Sequence, residues 1–358
     1  HGGYWNGFTF LDYTAYFETL PADRWELALE LEADRMVHAL FDPREVEAER
    51  TVILSEREGM ENQSTFWLDE QVDATAWQVH PYRQGVIGRR EDLERISRDD
   101  LYRHYRTYYV PSNAVAVVCG HVEPEEALAR VAARFGDIPP GEPPPPVRVE
   151  EPPQTEERRV TVRRPGPARY LQVAYHVPQA GHPDLFPLLV ADALLSGGKP
   201  VVSWGGGKPM GRSARLYRAL VETGLASEAS SYLQLTRDPG LFYISVTLQE
   251  SAPTGEVERA VFREVERLAE EPVGAEELER AKKQLRAQLA FGTEGVTNTA
   301  IALGILEMVA RHDLLDQVDR RVLAVGAEDV RRVAAAYLHE RNRTVGWFFP
   351  DGSGAGGS

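Results

Sequence analysis

The feature that most constrains the fold of this chain is an internal repeat. Three identities recur at one offset of 229 residues: Asp100 and Asp329, Tyr108 and Tyr337, and Asn113 and Asn342. Each copy predicts a helix followed by a strand, at 114–119 in the first copy and 344–349 in the second. Two earlier predicted helices, at 49–56 and 279–286, match at an offset of 230. Because chance rarely gives two matches in one order at nearly one offset, a duplicated domain is the simplest explanation.

The prolines locate the boundary between the two copies. Eight of the 24 prolines fall between residues 138 and 154. Such a stretch is stiff and extended and has no hydrophobic face, so it is typical of a linker. We therefore expect a first domain at 1–137, a linker at 138–154, a second domain at 155–350 and a flexible Gly/Ser-rich tail at 351–358.

The two copies differ at their start. The second has a predicted strand at 170–177 and a helix at 185–195 before its strand pair, whereas the first begins at the equivalent pair, 7–11 and 14–20. By the logic of the repeat, the first copy lacks about seventy residues. We expect an α+β fold of two homologous lobes, each an antiparallel-rich sheet with helices packed on one face, and a first lobe incomplete at its N-terminus.

Composition excludes several classes of protein. The balance of 40 basic and 55 acidic residues gives a net charge of −15, which argues against nucleic-acid binding. Cys119 is the single cysteine, so an internal disulfide and a cysteine-rich zinc site are excluded. No apolar run approaches the roughly 18 residues of a membrane span, so we expect a soluble chain.

The helix that begins after Asp42 carries the strongest local signal. Glu49, Val52 and Glu56 follow a helical spacing, and two turns bring both carboxylates within about 20° of one another on the face that carries Val52 and Ile53. If that face points to the core, each carboxylate needs a cation, a metal or a hydrogen-bond donor. The alternative is that the edge of the stripe is solvated and both are ordinary surface residues.

Other motifs are weak or absent. The nine histidines form neither HExxH nor HxxEH. The glycine-rich stretch 196–211 does not match a phosphate-binding loop, because Lys208 is followed by Pro209 and the preceding spacing is wrong. A nucleotide-binding protein is thus a poor third alternative, and a loop lining a cavity fits the stretch better.

Four motifs in order resemble one family, the M16 zinc metallopeptidases of the pitrilysin, insulinase and processing-peptidase type. The motifs are Gly2-Gly3-Tyr4-Trp5-Asn6-Gly7-Phe8-Thr9, Glu49-Arg50 with Ile53-Leu54-Ser55-Glu56, His80-Pro81-Tyr82 with Ile87-Gly88, and Ser213-Ala214-Arg215-Leu216-Tyr217. The resemblance covers about residues 1–350. It implies two α+β lobes that close around a peptide.

The resemblance also implies roles for particular residues. In this family, zinc is held by HxxEH on one helix and by a more distant glutamate, which places Glu56 as a metal ligand and Glu49 as a supporting acid. The strand with Asn6, Gly7, Phe8 and Thr9 is expected to bind substrate by strand addition.

The expected HxxEH would lie roughly twenty residues before His1, so this chain alone is not expected to hold zinc or to be active. Val221 and Ser227 stand where the family's single-chain members carry an Arg and a Tyr. The resemblance therefore implies a zinc-bearing endopeptidase subunit acting on a peptide or unfolded protein, with a second M16-like subunit or a second copy as partner. The alternative is a non-catalytic scaffold or peptide-binding subunit. We expect the bacterial cytoplasm or periplasm.

Overall fold

The computed structural model of the protein describes residues 1–200 and 211–351. The first half contains β1 (Tyr4–Thr9), β2 (Thr14–Thr19), α1 (Glu26–His38), α2 (Pro43–Glu61), α3 (Ser64–Ala76), α4 (Arg90–Arg95), α5 (Arg98–Tyr108) and α6 (Pro124–Phe135). The second half contains β3 (Arg158–Arg164), β4 (Tyr170–Val177), α7 (Leu185–Ser196), β5 (Ala226–Leu233), β6 (Gly240–Leu248), α8 (Thr254–Glu270), α9 (Ala275–Gly292), α10 (Val296–Val309), α11 (Leu314–Ala324), α12 (Ala327–Tyr337) and β7 (Arg343–Pro350). The α+β class and the two homologous lobes are confirmed.

The second half is built on a five-stranded sheet. The strand order is β3-β7-β4-β6-β5, and every pair is antiparallel except β3 with β7. α7 packs on one face with all of its residues buried, which its nearly continuous apolar sequence explains. β3 was not predicted from the sequence. Its alternation of arginines with Val160 and Val162 is the period-two pattern of a half-buried edge strand.

The repeated residues have the same structural roles in both halves. α5 and α12 begin and end at the same offset of 229 residues. The carboxylates of Asp100 and Asp329 each accept from the backbone N–H three residues earlier, at 3.0 and 2.9 Å. The side-chain amides of Asn113 and Asn342 each donate to the carbonyl five residues earlier, at 3.0 and 2.7 Å. These residues therefore recur because they cap the same helix at both ends.

The two halves exchange one helix each. α3 of the first half packs across the second face of the five-stranded sheet, where Leu68 and Val72 meet Val162 and Phe348. α10, which follows α9 as α3 follows α2, packs against β2, and the hydroxyls of Thr19 and Thr297 lie 2.6 Å apart. The helices of the second lobe itself pack on one face of its sheet, as predicted, and α3 of the first half adds a layer on the other face, which the sequence does not predict. A sheet with two apolar faces needs both covered, and the other half supplies the second cover.

The expected strand at 114–119 is also wrong. The segment is neither helix nor strand, and no strand pairs with it in the described part of the chain. Its counterpart β7 lies between β3 and β4. Both of these strands have residue numbers below the repeat offset of 229, so the offset assigns them no counterpart among residues 1–137. Val115 is consequently 47% exposed, whereas its counterpart Thr344 is 0% exposed. A strand requires a hydrogen-bonded neighbour, which composition alone cannot supply.

The proline-rich segment 138–154 contains neither helix nor strand. Its end is held in place by Glu151, whose carboxylate accepts from the backbone N–H groups of Gln78, Val79 and His80 at 2.7, 2.9 and 3.0 Å. Two sequence expectations, the glycines and lysine at 205–208 and the tail from 352 onward, lie outside the described residues.

No single helix in residues 1–200 or 211–351 has both the length and the apolar composition to cross a membrane. α9 and α10 meet these criteria only when taken together, and they bend by 111° at the break between them.

Candidate peptide-binding and metal site

α2 begins where the sequence predicts. Pro43 occupies the first helical turn, and the carboxylate of Asp42 accepts from the backbone N–H of Arg44 at 2.8 Å. The buried side of the helix carries Val46 and Arg57, with Ile53 half-buried between them. This spacing defines which face of α2 packs on the protein.

Arg57 fixes α2 against its neighbours. Its guanidinium is buried and donates to Glu61 at 2.9 Å and to Glu70 on α3 at 3.0 Å. It also donates to the backbone carbonyl of Gly88, which belongs to the third motif. A buried arginine is stable only when its donors are satisfied, so these contacts hold α2, α3 and the Gly88 loop in one arrangement.

Glu49 and Glu56 lie beside this buried face, because the helical spacing places them about 60° and about 80° around α2 from Val46. Both are exposed, and Val52 between them is 57% exposed. The spacing therefore correctly places the two carboxylates on one face, but the expectation that this face points to the core is wrong. In this exposed position neither carboxylate needs a buried cation or hydrogen-bond donor, because the buried face of α2 is the one that carries Val46 and Arg57.

The residues present do not fit a catalytic zinc. Across residues 1–200 and 211–351, no three His, Cys, Asp or Glu side chains are grouped so that they could hold a metal ion. Glu56 would contribute one carboxylate, whereas a catalytic zinc takes three protein ligands. The side chains of the described residues are therefore too few to hold a catalytic zinc by themselves.

β1 presents the residues expected to bind substrate. It pairs with β2 from Tyr4 opposite Thr19 to Thr9 opposite Thr14, and within the described residues these two strands form a sheet of their own. The side chain of Asn6 accepts from the backbone N–H of Gly7 at 2.8 Å. A strand at the border of a two-stranded sheet is a template for pairing with a further extended chain.

The remaining two residues of this set have different surroundings. Phe8 packs against the rings of Tyr13 and Phe17, at centroid distances of 6.1 and 6.4 Å. It therefore anchors the hairpin to the core rather than facing a ligand. Thr9 is exposed, and its hydroxyl lies 3.2 Å from that of Thr14 on β2.

A second polar group lies where α3 crosses the sheet, and the sequence analysis missed it. The amide of Gln172 donates to Asp69 at 2.7 Å, and the hydroxyl of Tyr243 donates to Asp73 at 2.5 Å. These carboxylates are spaced four residues apart beside the apolar stripe of α3, a signal of the same kind as in α2. Burial raises the pKa of Asp73 to about 7, against the hydrogen bond from Tyr243, which lowers it.

Asp73→Asn should therefore change how stability depends on pH. The folded-state pKa lies above the ordinary value, so the carboxyl stabilises the fold in its protonated form and loses this stabilisation as pH rises from about 4 to about 7. Asn stays neutral and keeps an acceptor for Tyr243. We expect the variant to gain about 4 kcal/mol in free energy of unfolding near pH 8, about half of that or less near pH 5 and little near pH 3, measured by urea unfolding. Asp23→Asn, at an exposed carboxylate, is the control, and an unchanged pH profile in Asp73→Asn would contradict the assignment.

The fourth motif and the expected Arg/Tyr positions lie in the second half. Arg215 is buried and donates through two nitrogens to Glu277 at 2.8 and 2.9 Å, which ties the segment before β5 to the start of α9. Val221 ends a short π-helical turn and is half-buried. Ser227 is exposed on β5, and its hydroxyl donates to the carbonyl of Thr247 at 3.3 Å. Neither position supplies a cation or a phenol.

The comparisons with known proteins agree with this architecture. Residues 1–90 match the family described as "Insulinase (Peptidase family M16)", and residues 95–285 match "Peptidase M16 inactive domain". The chain is 26% identical to the "Mitochondrial-processing peptidase subunit beta" of Blastocladiella emersonii, over 96% of this chain and 72% of that protein. It is also 26% identical to the "Probable mitochondrial-processing peptidase subunit beta, mitochondrial" of Arabidopsis thaliana, over 96% of this chain but 64% of that protein.

A solved structure shows the same fold. "The crystal structure of a protease from Helicobacter pylori" superposes with a TM-score of 0.89 at 24% sequence identity, over 98% of this chain and 83% of the other. At this identity the likeness shows the fold alone. The sequence matches add the family, because the one at 95–285 spans more than half of the 358 residues and the one at 1–90 precedes it. The chain therefore belongs to the M16 family of peptidases.

Proposed function

We propose that this chain is the zinc-bearing type of M16 subunit and takes part in the hydrolysis of a peptide or unfolded protein. The observation that carries the proposal is the exposed face of α2, which presents Glu49 and Glu56 together. In the family pattern, these are the supporting acid and the distal metal ligand. The relatives named above are termed beta subunits of a processing peptidase, which agrees with a subunit role.

The exposed segment 114–119 of the first half supports the proposal that an upstream segment supplies the other zinc ligands. In the second half, β7 has a strand on each side and the buried helix α7 packed on its sheet. Within residues 1–200 and 211–351, the equivalent segment 114–119 has neither, and Val115 is 47% exposed. We infer that, in a longer form of the protein, a strand and a helix equivalent to β4 and α7 cover this segment and carry HxxEH. Glu56 would then be one of three protein ligands.

This chain's own contribution to substrate binding is the edge of β1. Backbone N–H and C=O groups of an added peptide strand would pair with it, and this mode tolerates many side chains. The net charge of −15 favours basic peptides over acidic ones.

Because Val221 and Ser227 supply neither Arg nor Tyr, we propose that a second M16-like subunit, or a second copy of this chain, provides such donors to the substrate. The bacterial cytoplasm or periplasm stays a prediction, since the bacterial structure shows the fold alone.

A non-catalytic scaffold or peptide-binding subunit is the second candidate. Two observations favour it: no metal-ligand cluster is present in the described part of the chain, and residues 95–285 match a domain described as inactive. A lobe of this kind would bind a peptide by strand addition without cleaving it.

Zinc content and peptide turnover separate these candidates. We expect the chain of 358 residues, supplied with zinc, to show no chelator-sensitive cleavage of a quenched fluorescent peptide, because one carboxylate is too few ligands. A longer form with the upstream segment should bind about one zinc and cleave the peptide, more so with its M16-like partner. Cleavage by the shorter chain would contradict the ligand assignment. An upstream segment without HxxEH would favour the scaffold.

A further inference from the structure

The loop after α3 carries the third motif, His80-Pro81-Tyr82, for which the proposed function has no use. The loop lies where two hairpin turns meet. One is the turn at 10–13 between β1 and β2, and the other is the turn at 234–239 between β5 and β6. These turns occupy equivalent places in the two halves, so the loop lies between the first half and the second half.

A chain of hydrogen bonds joins the two turns through this loop. The hydroxyl of Tyr82 donates to Asp12 Oδ1 at 2.5 Å and accepts from the backbone N–H of Asp238 at 3.2 Å. The backbone N–H of Arg237 donates to Asp12 Oδ2 at 2.9 Å. Burial, together with the bond to Asp12, raises the pKa of Tyr82, so its hydroxyl keeps the proton that it donates. Both oxygens of Asp12 are thus used to hold the first turn against the second half.

The loop is itself a fixed support. The carboxylate of Glu151 accepts from three of its backbone N–H groups, and the ring of Trp77 lies 5.7 Å from the ring of Tyr82 and 4.6 Å from that of His176 on β4. His80 is 4% exposed, and its Nε2 lies 3.4 Å from an oxygen of Asp238. These contacts hold the loop in place, and the hydroxyl of Tyr82 points from it to Asp12.

We propose that Asp12 and Tyr82 are positioning residues that fix the turn end of the β1–β2 hairpin, and with it the peptide-binding edge of β1, against the second half. The statement about peptide binding rests on the function proposed above for β1, whereas the attachment of the hairpin does not. Thr9, the last residue of β1, is three residues from Asp12. The far end of the hairpin has a separate attachment, through Thr19 and Thr297.

Hydrogen exchange of the peptide-free chain tests the attachment. Tyr82→Phe removes the hydroxyl and keeps the ring. We expect exchange of amides near the turn, such as the Phe10 N–H bonded to the carbonyl of Tyr13 at 2.9 Å, to rise by about tenfold or more. Amides near Thr19 and in α7 should not change. Asp12→Asn should act on the same amides, and the double variant should show less than the combined effect.

Tyr108→Phe is the matched control, since it removes the same atom from a partly exposed tyrosine. Equal exchange at the turn in Tyr82→Phe and wild type would overturn the proposal, as would a rise spread evenly over the protein. Binding of a fluorescein-labelled unstructured peptide tests the second part, and we expect its Kd to rise by about threefold to tenfold in Tyr82→Phe. A faster-exchanging turn with an unchanged Kd would overturn the positioning role. Failure of the wild-type chain to bind any peptide would instead contradict the proposed function of β1.

Discussion

Glu56→Gln, made in a longer form of the protein that carries the upstream segment, should lower bound zinc well below one per chain and lower peptide turnover by about 100-fold or more. The change keeps the size of the side chain and removes the negative charge that makes a carboxylate a good ligand, leaving two of three protein ligands. Zinc content by mass spectrometry and turnover of a quenched peptide measure the two effects together.

Two further variants on the same helix sharpen this test. Glu49→Gln should have the smaller effect of a supporting residue, about tenfold to 100-fold in zinc affinity or activity. Glu45→Gln is the matched control, because Glu45 is an exposed carboxylate in the first turn of α2. It should leave zinc content and turnover near wild type. A full zinc content in Glu56→Gln would remove Glu56 from the ligand set.

The sequence predicted those parts of the fold that depend on local signals. Asp100, Asn113 and their repeats act on backbone groups within five residues, so their pattern is readable without knowing the fold. The start of α2 at Asp42 and Pro43 is local in the same way. The spacing of Glu49 and Glu56 also correctly placed both on one face of the helix.

The errors concern contacts between distant segments. Whether 114–119 forms a strand depends on neighbours far away in the chain, and periodicity carries no information about them. The exposed position of Glu49 and Glu56 depends on Arg57, whose partner Glu70 comes from α3. The exchange of α3 and α10 between the halves is a property of the assembled sheets. Their apolar stripes predict burial but not the surface that buries them.

Gly346→Ala should destabilise the protein by about 3 kcal/mol, because it acts on that exchanged contact. Gly346 lies on buried β7, where an added Cβ would overlap the side chain of Val72 and lie 2.9 Å from Cδ1 of Leu68, both on α3. α3 would have to move away from the sheet. Gly59→Ala, in α2 with open space around the added Cβ, is the control and should stabilise by up to about 1 kcal/mol.

Combining Gly346→Ala with Val72→Ala distinguishes this contact from a general loss of strand stability. Val72→Ala leaves a cavity that the new methyl group partly fills, so the double variant should lose less stability than the two single changes together. Strict additivity in chemical unfolding would show that α3 is not packed on β7 in this way. Because Arg57 connects α3 to α2 through Glu70, a displaced α3 would also move the helix that carries Glu56. Gly346→Ala should therefore weaken zinc binding in the longer form, although Gly346 lies on the sheet of the other half.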